Sequence, residues 1–124
     1  MTTHEFLTWT EVNQTHNTIR AIYHMGKLVH SMLITDNGKN IMTDTKIIFM
    51  LPKSIQYAND LTVTSESLEK QNKFKLFRKI DKNKWIFLGR GIIEKINHDP
   101  ISEYEIHIKV IKKSSPKNDE VKTT

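Results

Sequence analysis

Residues 73–96 read KFKLFRKIDKNKWIFLGRGIIEKI, and this stretch decides the fold class. Phe74, Leu76 and Ile80 alternate with Lys75 and Lys79, while Phe77 falls on the second face. A period of two is what a pleated strand shows when its faces meet different surroundings. Asp81-Lys82-Asn83-Lys84 has the length and polarity of a hairpin turn. Trp85-Ile86-Phe87-Leu88 follows and is apolar on both faces. Gly89-Arg90-Gly91 then interrupts the ladder, which predicts a bulge, a sharp bend or a close backbone approach. Residues 92–96 resume as strand.

Outward from this hairpin, strand signals recur. Residues 103–112 alternate, with Tyr104, Ile106, Ile108 and Val110 on one face and Glu105, His107 and Lys109 on the other. Residues 18–24 and 27–35 are further strand candidates around a Met25-Gly26-Lys27 turn. Asp36-Asn37-Gly38 is a hairpin signal, and the chain returns through Ile41 and Met42. Residues 46–51 are apolar on both faces, which predicts a central strand ending at Pro52.

Helices are fewer. Thr2-x-x-Glu5 and Thr8-x-x-Glu11 both have capping-box spacing, so residues 2–12 read as a short helix followed by a polar break at 13–17. Residues 52–61 are ambiguous: Pro52 and Ser54 suit a short helix, while Thr62-Val63-Thr64 could instead begin a strand. Residues 65–72 read as a loop or one helical turn. Residues 113–124 hold almost no apolar side chain and read as a disordered tail. The expectation is a mainly β protein with a minor helical part. It is a small, bent, antiparallel β-barrel with one or two short helices, formed as one domain over residues 1–112.

Composition narrows the function. At 124 residues the chain can bury one sizeable core. It has no cysteine, so disulfides, thiolate metal sites and a cysteine nucleophile are excluded. The first residues lack a basic segment followed by a long apolar one, and no apolar run is long enough to span a bilayer. A cytoplasmic location without membrane contact is expected. Residues 70–95 carry nine Lys or Arg against two acids, Asp81 and Glu94. The remainder is slightly acidic, so the whole net charge of +5 arises in this one stretch. Such a patch attracts polyanions; a solvated lysine-rich face is the alternative.

No catalytic constellation is complete. The histidines His4, His16, His24, His30, His98 and His107 form no His-x-x-x-His pair with a glutamate, although His24 and His30 fall on neighbouring strands. There is no Gly-x-Ser-x-Gly elbow, and Gly89-x-Gly91 lacks the third glycine and the following helix of a nucleotide loop. Glu94, Glu105 and Lys109 are the residues a small metal-dependent nuclease would use, without the spacing such a core wants. No catalytic residue, metal or cofactor is therefore assigned. What remains is a basic hairpin interleaved with aromatics. Lys75, Phe77, Arg78, Lys79, Lys82, Lys84 and Arg90 are the candidate nucleic-acid contacts: cations for phosphate and one ring for stacking.

Phe74-Lys75-Leu76-Phe77-Arg78-Lys79 and Trp85-Ile86-Phe87-Leu88-Gly89, preceded by Ser65-Glu66-Ser67, resemble the strand pair of PUA/SRA-like β-barrel reader domains. Those modules are attached to restriction endonucleases and restriction-type helicases. The resemblance spans residues 65–89. It implies DNA binding, sometimes with a modified base flipped into an aromatic pocket, and it assigns no pocket residue here. It points to a standalone reader, a partner subunit or a phage-type protein. The leading expectation is a non-catalytic nucleic-acid-binding module, with DNA favoured over RNA. An accessory subunit that binds protein instead is the alternative, and the small nuclease is the second.

Overall fold

The computed structural model describes residues 6–35 and 40–111. The Asp36-Asn37-Gly38 turn, the Thr2-x-x-Glu5 box and the tail at 113–124 lie outside the described residues.

Seven strands form one sheet. They are β1 (Ile22–Met25), β2 (Leu28–Ile34), β3 (Ile41–Met42), β4 (Lys46–Pro52), β5 (Phe74–Asp81), β6 (Lys84–Asn97) and β7 (Glu103–Ile111), and they lie in the order β1-β2-β5-β6-β7-β4-β3. The sheet curls into a half-barrel. Its pairings are antiparallel except β2 with β5, which run parallel from Ser31↔Lys75 to Ile34↔Arg78. A parallel pair needs a long crossover, here the segment from 35 to 73 with its helix α2 (Ala58–Lys70).

Alternation sorts the side chains of the curled sheet. Met32, Ile34, Phe74, Leu76, Ile93, Ile106 and Ile108 point to the inner face and are buried together, with Val63 of α2 against them. Burying each such side chain contributes about 1.5–3 kcal/mol. The outer face carries a second cluster. Leu33, Phe77 and Trp85 are covered there by Val12 of helix α1 (Trp9–His16). Leu7 adds a short bridge, its N–H donating to the Trp85 carbonyl at 2.7 Å and its carbonyl accepting from Trp85 N–H at 2.9 Å. The run Trp85 to Leu88 is apolar on both faces because both faces are covered.

Both glycines of the central hairpin act as expected. Leu76 pairs with Gly89 but Phe77 with Phe87, so Leu88 is the extra residue of a bulge, and Gly89 takes φ 112°. At Gly91 an added Cβ would lie 2.8 Å from Ile108 Cγ2 and 2.9 Å from Leu76 Cδ1. Here the close approach is to core side chains of the two neighbouring strands.

Three local expectations change. The N-terminal helix starts at Trp9, where the Thr8–Glu11 capping box forms: Glu11 N–H donates to Thr8 Oγ1 at 3.2 Å and Thr8 N–H to Glu11 Oε1 at 2.8 Å. It runs through the supposed polar break to His16 and ends at left-handed Asn17. Residues 58–70, expected to divide between an ambiguous segment, a possible strand start at Thr62-Val63-Thr64 and a loop or single helical turn, form one continuous helix. Thr62, Val63, Thr64, Ser65 and Ser67 are weak helix formers, and tertiary contacts compensate. Ser67 Oγ accepts the Val29 N–H at 2.8 Å, and the Gln71 amide donates to the Ile93 carbonyl at 3.1 Å. Finally, among the described residues β4 is central only at Ile47 and Ile48, where β3 covers it; from Phe49 to Pro52 it pairs there with β7 alone.

Candidate nucleic-acid interface

The half-barrel stays open between β1 on one side and the uncovered end of β4 on the other. A cleft of about 580 Å³ occupies this opening. Ile22, Leu33, Phe49 and Leu51 supply apolar walls, and Arg20, Tyr57 and Asp60 gather at one end. Asn40 links the end of β2 to β4 at the cleft wall: its Nδ2 donates to the Thr35 carbonyl at 3.3 Å and its Oδ1 accepts Met50 N–H at 3.0 Å. Apolar walls with a few convergent polar groups are the usual composition of a ligand site.

Each polar group is held by a different element. Asp60 sits in the first turn of α2, where the helix dipole favours a carboxylate. Its side chain is only 8% exposed, and Arg20 Nη2 donates to it at 2.8 Å. The same Nη2 reaches the Gln56 carbonyl at 3.4 Å, and the guanidinium lies 5.7 Å from the Tyr57 ring centre. Both bonds leave from one nitrogen. The other guanidinium donors, on Nη1 and Nε, have no protein partner among the described residues and can serve a ligand.

His16 fixes the backbone of Arg20. The ring is fully buried at the end of α1; Nε2 donates to the Arg20 carbonyl at 2.6 Å and Nδ1 accepts from the Ser31 hydroxyl at 2.7 Å. Burial pushes its pKa below the ordinary value, the bond to Arg20 opposes this, and nearby His30 adds to the lowering. In the sequence His16 is one of six histidines without a ligand pattern. Its i+4 spacing to Arg20 was visible, but its partner Ser31 lies on another strand.

The seven hairpin residues do not form one patch. Strand register places Lys75, Phe77, Lys79 and Arg90 on the outer face and Arg78 on the inner. Lys75 pairs directly with Arg90, and both are exposed. Phe77 is a correction: it is 5% exposed, inside the cluster under α1, with its ring 5.5 Å from that of Phe87. In this position it offers no face to a base. Lys79, Lys82 and Lys84 project at the exposed hairpin tip. Lys79 and Asn83 line a shallower depression together with Ile19 and Thr35, which also line the cleft. Lys79 and Asn83 thus adjoin the cleft through this depression, whereas Lys75 lies four residues from Lys79 along the strand, about 13 Å. Among the described residues, none of these six cations is in an ion pair with an acid.

The residues of the nuclease alternative have other partners. Glu94 is 3.8 Å from Lys46. Glu105 accepts from Asn97 at 3.1 Å and contacts His107 at 3.2 Å, and these two bonds hold its carboxyl below the usual range. Among the described residues no three His, Cys, Asp or Glu groups are placed to hold a metal ion. His24 and His30 do not meet: His24 bonds Gly26 and Asn59, and the His30 ring stands edge-on to Tyr23 at 5.4 Å.

No family model matches the chain, and no curated protein matches it. Solved structures do. The SRA domain of SUVH5 in complex with hemimethylated CG DNA superposes with a TM-score of 0.71 over 91% of each chain, at 17% identity. Its complex with fully methylated CG DNA gives 0.72 over 91% of each chain at 15% identity. The complex with methylated CHH DNA gives 0.71 over 90% of this chain and 89% of the other, at 14% identity. The chain has the SRA fold. The likeness, local to residues 65–89 in the sequence, covers 91% of the chain in the structure. Among the described residues no helix is long and apolar enough to cross a membrane.

Proposed function

We propose that the chain is a DNA-binding module that holds one base, swung out of its duplex, in the cleft between β1 and β4. The observation that carries this reading is the cleft itself. It pairs apolar walls with a carboxylate and a guanidinium at one end, in a fold whose solved examples are bound to methylated DNA. A flipped base needs apolar surface over its faces and hydrogen bonds at its edge. Asp60 accepts from an exocyclic amine, and the uncommitted donors of Arg20 serve a ring acceptor or a phosphate. A methyl group on the base gains from the apolar walls. Lys79, Lys82 and Lys84 at the bordering tip take the flanking phosphates, with Lys75 and Arg90 extending the contact along the outer face. The cytoplasmic location and the restriction setting expected from the sequence belong to the same reading.

The test is fluorescence anisotropy with labelled duplexes carrying cytosine or 5-methylcytosine, alongside a duplex with 2-aminopurine beside the target base. Binding at low salt, with a rise in 2-aminopurine fluorescence as the neighbouring base leaves the stack, is expected. Asp60→Asn keeps the shape and removes the charge; it is expected to weaken binding about tenfold, or 1.4 kcal/mol, and to cost about 1–3 kcal/mol of stability through the Arg20 pair, so affinity is measured at a temperature where the variant is folded. Failure of every duplex to bind at low salt overturns the reading.

A further inference from the structure

The cleft has a neighbour. A second, also of about 580 Å³, adjoins it, and the two share Arg20, Ile22 and Asp60 as walls. Pockets of about 300–1,000 Å³ hold drug-sized ligands, and a pyrimidine is smaller than those. The first cleft alone has room for a base, so the second is surplus to holding one.

Its chemistry differs from that of the first. Beyond the shared residues it is lined by Asn17, Thr18, Tyr23, His24, Gln56 and Asn59. Every one carries a hydrogen-bonding side chain, and the amides offer both donors and an acceptor. The set is partly fixed in advance. His24 Nδ1 donates to the Gly26 carbonyl at 2.9 Å, so its Nε2 accepts from Asn59 Nδ2 at 3.1 Å, which leaves Asn59 Oδ1 and its second N–H for a ligand. A phosphate would want several cations, and among the described residues Arg20 is the one cation in these walls. An alkyl group would want apolar walls, and among the described residues Ile22 is the one aliphatic side chain there. Neutral amides and hydroxyls match neutral hydroxyls.

We infer that the second cleft takes a neutral, hydroxyl-rich substituent carried by the base in the first, so that the favoured target is DNA bearing a sugar-modified base. This deepens the DNA-binding reading and rests on it. Arg20 stands where the two clefts meet, with its side chain 51% exposed and Nη1 and Nε uncommitted, in position to donate to the first oxygen of the substituent.

The experiment compares duplexes of one sequence carrying cytosine, 5-methylcytosine, 5-hydroxymethylcytosine or glucosylated 5-hydroxymethylcytosine at one position. The glucosylated duplex is expected to bind about tenfold more tightly than the methylated one. Asn59→Ala is expected to remove most of that gain, and Asn59→Trp, which fills the second cleft from the exposed first turn of α2, to abolish it. Both are expected to keep the 5-methylcytosine affinity within about twofold. Equal or weaker binding of the glucosylated duplex, with the methylated one still bound, overturns this inference and leaves the DNA-binding reading standing. If no duplex binds, that reading falls and this one with it.

Discussion

The carbonyl oxygen of Arg20 lies 2.6 Å from Nε2 of His16, a ring with no solvent exposure. One buried imidazole thereby couples the end of α1, through Ser31 to β2 and through Arg20 to the rim of the cleft.

Acid should weaken this coupling. Burial holds the His16 pKa below its ordinary 6.5, so the unfolded chain takes a proton on this ring more readily than the folded chain does. The stability that the neutral ring contributes is complete above pH 6.5 and is lost as the pH falls through the lower folded value. Urea midpoints for the native protein should drop between about pH 7.5 and 5.5, and His16→Gln should flatten that dependence. The variant should cost about 1–3 kcal/mol at the upper pH. Glu105, held low by Asn97 and His107, acts in a separate window, losing its contribution only below its ordinary 4.5. An unchanged slope in His16→Gln would refute the assignment.

Salt separates the tip from the rest of the hairpin. Each phosphate contact contributes about 0.9 to the slope of log affinity against log salt. Lys79 lines the depression that adjoins the cleft, and Lys82 and Lys84 are exposed on the same hairpin tip, so the triple alanine variant should lower that slope by about 2–3 for duplex DNA. Anisotropy titrations at several salt concentrations measure it. A slope equal to that of the unmodified protein would remove the tip from the interface.

Phe77 should behave as a core residue. Its ring lies in the cluster with Val12, Leu33 and Trp85, so Phe77→Ala should cost about 3–5 kcal/mol of stability. Phe77→Leu, which keeps most of the volume, should cost less than about 2 kcal/mol and leave DNA affinity unchanged at a temperature where it is folded. A large loss of affinity in a folded Phe77→Leu protein would restore the stacking role expected from the sequence.

Gly91→Ala should destabilise by about 1–3 kcal/mol, because the new methyl meets Ile108 and Leu76 at under 3 Å inside the core. Thermal unfolding followed by circular dichroism reads this directly. An unchanged midpoint would mean that β5 and β7 yield more easily than their packing implies.

The sequence by itself determined the strands and the turn of the central hairpin. Lys75 and Lys79 alternate with buried partners, and Gly89 and Gly91 mark a bulge and a close approach; these are local consequences of a two-residue period and of a missing Cβ. It also determined the Thr8–Glu11 cap, which spans one helical turn. Only the tertiary structure decided what the outer face meets. Phe77 and Lys79 share that face in the sequence pattern, yet α1 covers one and leaves the other in water. Helix α2 was illegible because its Thr-Val-Thr core and its serines favour other conformations, and it is held by bonds to Val29 and Ile93, far away in the chain. The cleft was illegible for the same reason. Arg20, Asp60 and Asn40 carry no shared motif and come together only when the sheet curls and stops short of closing.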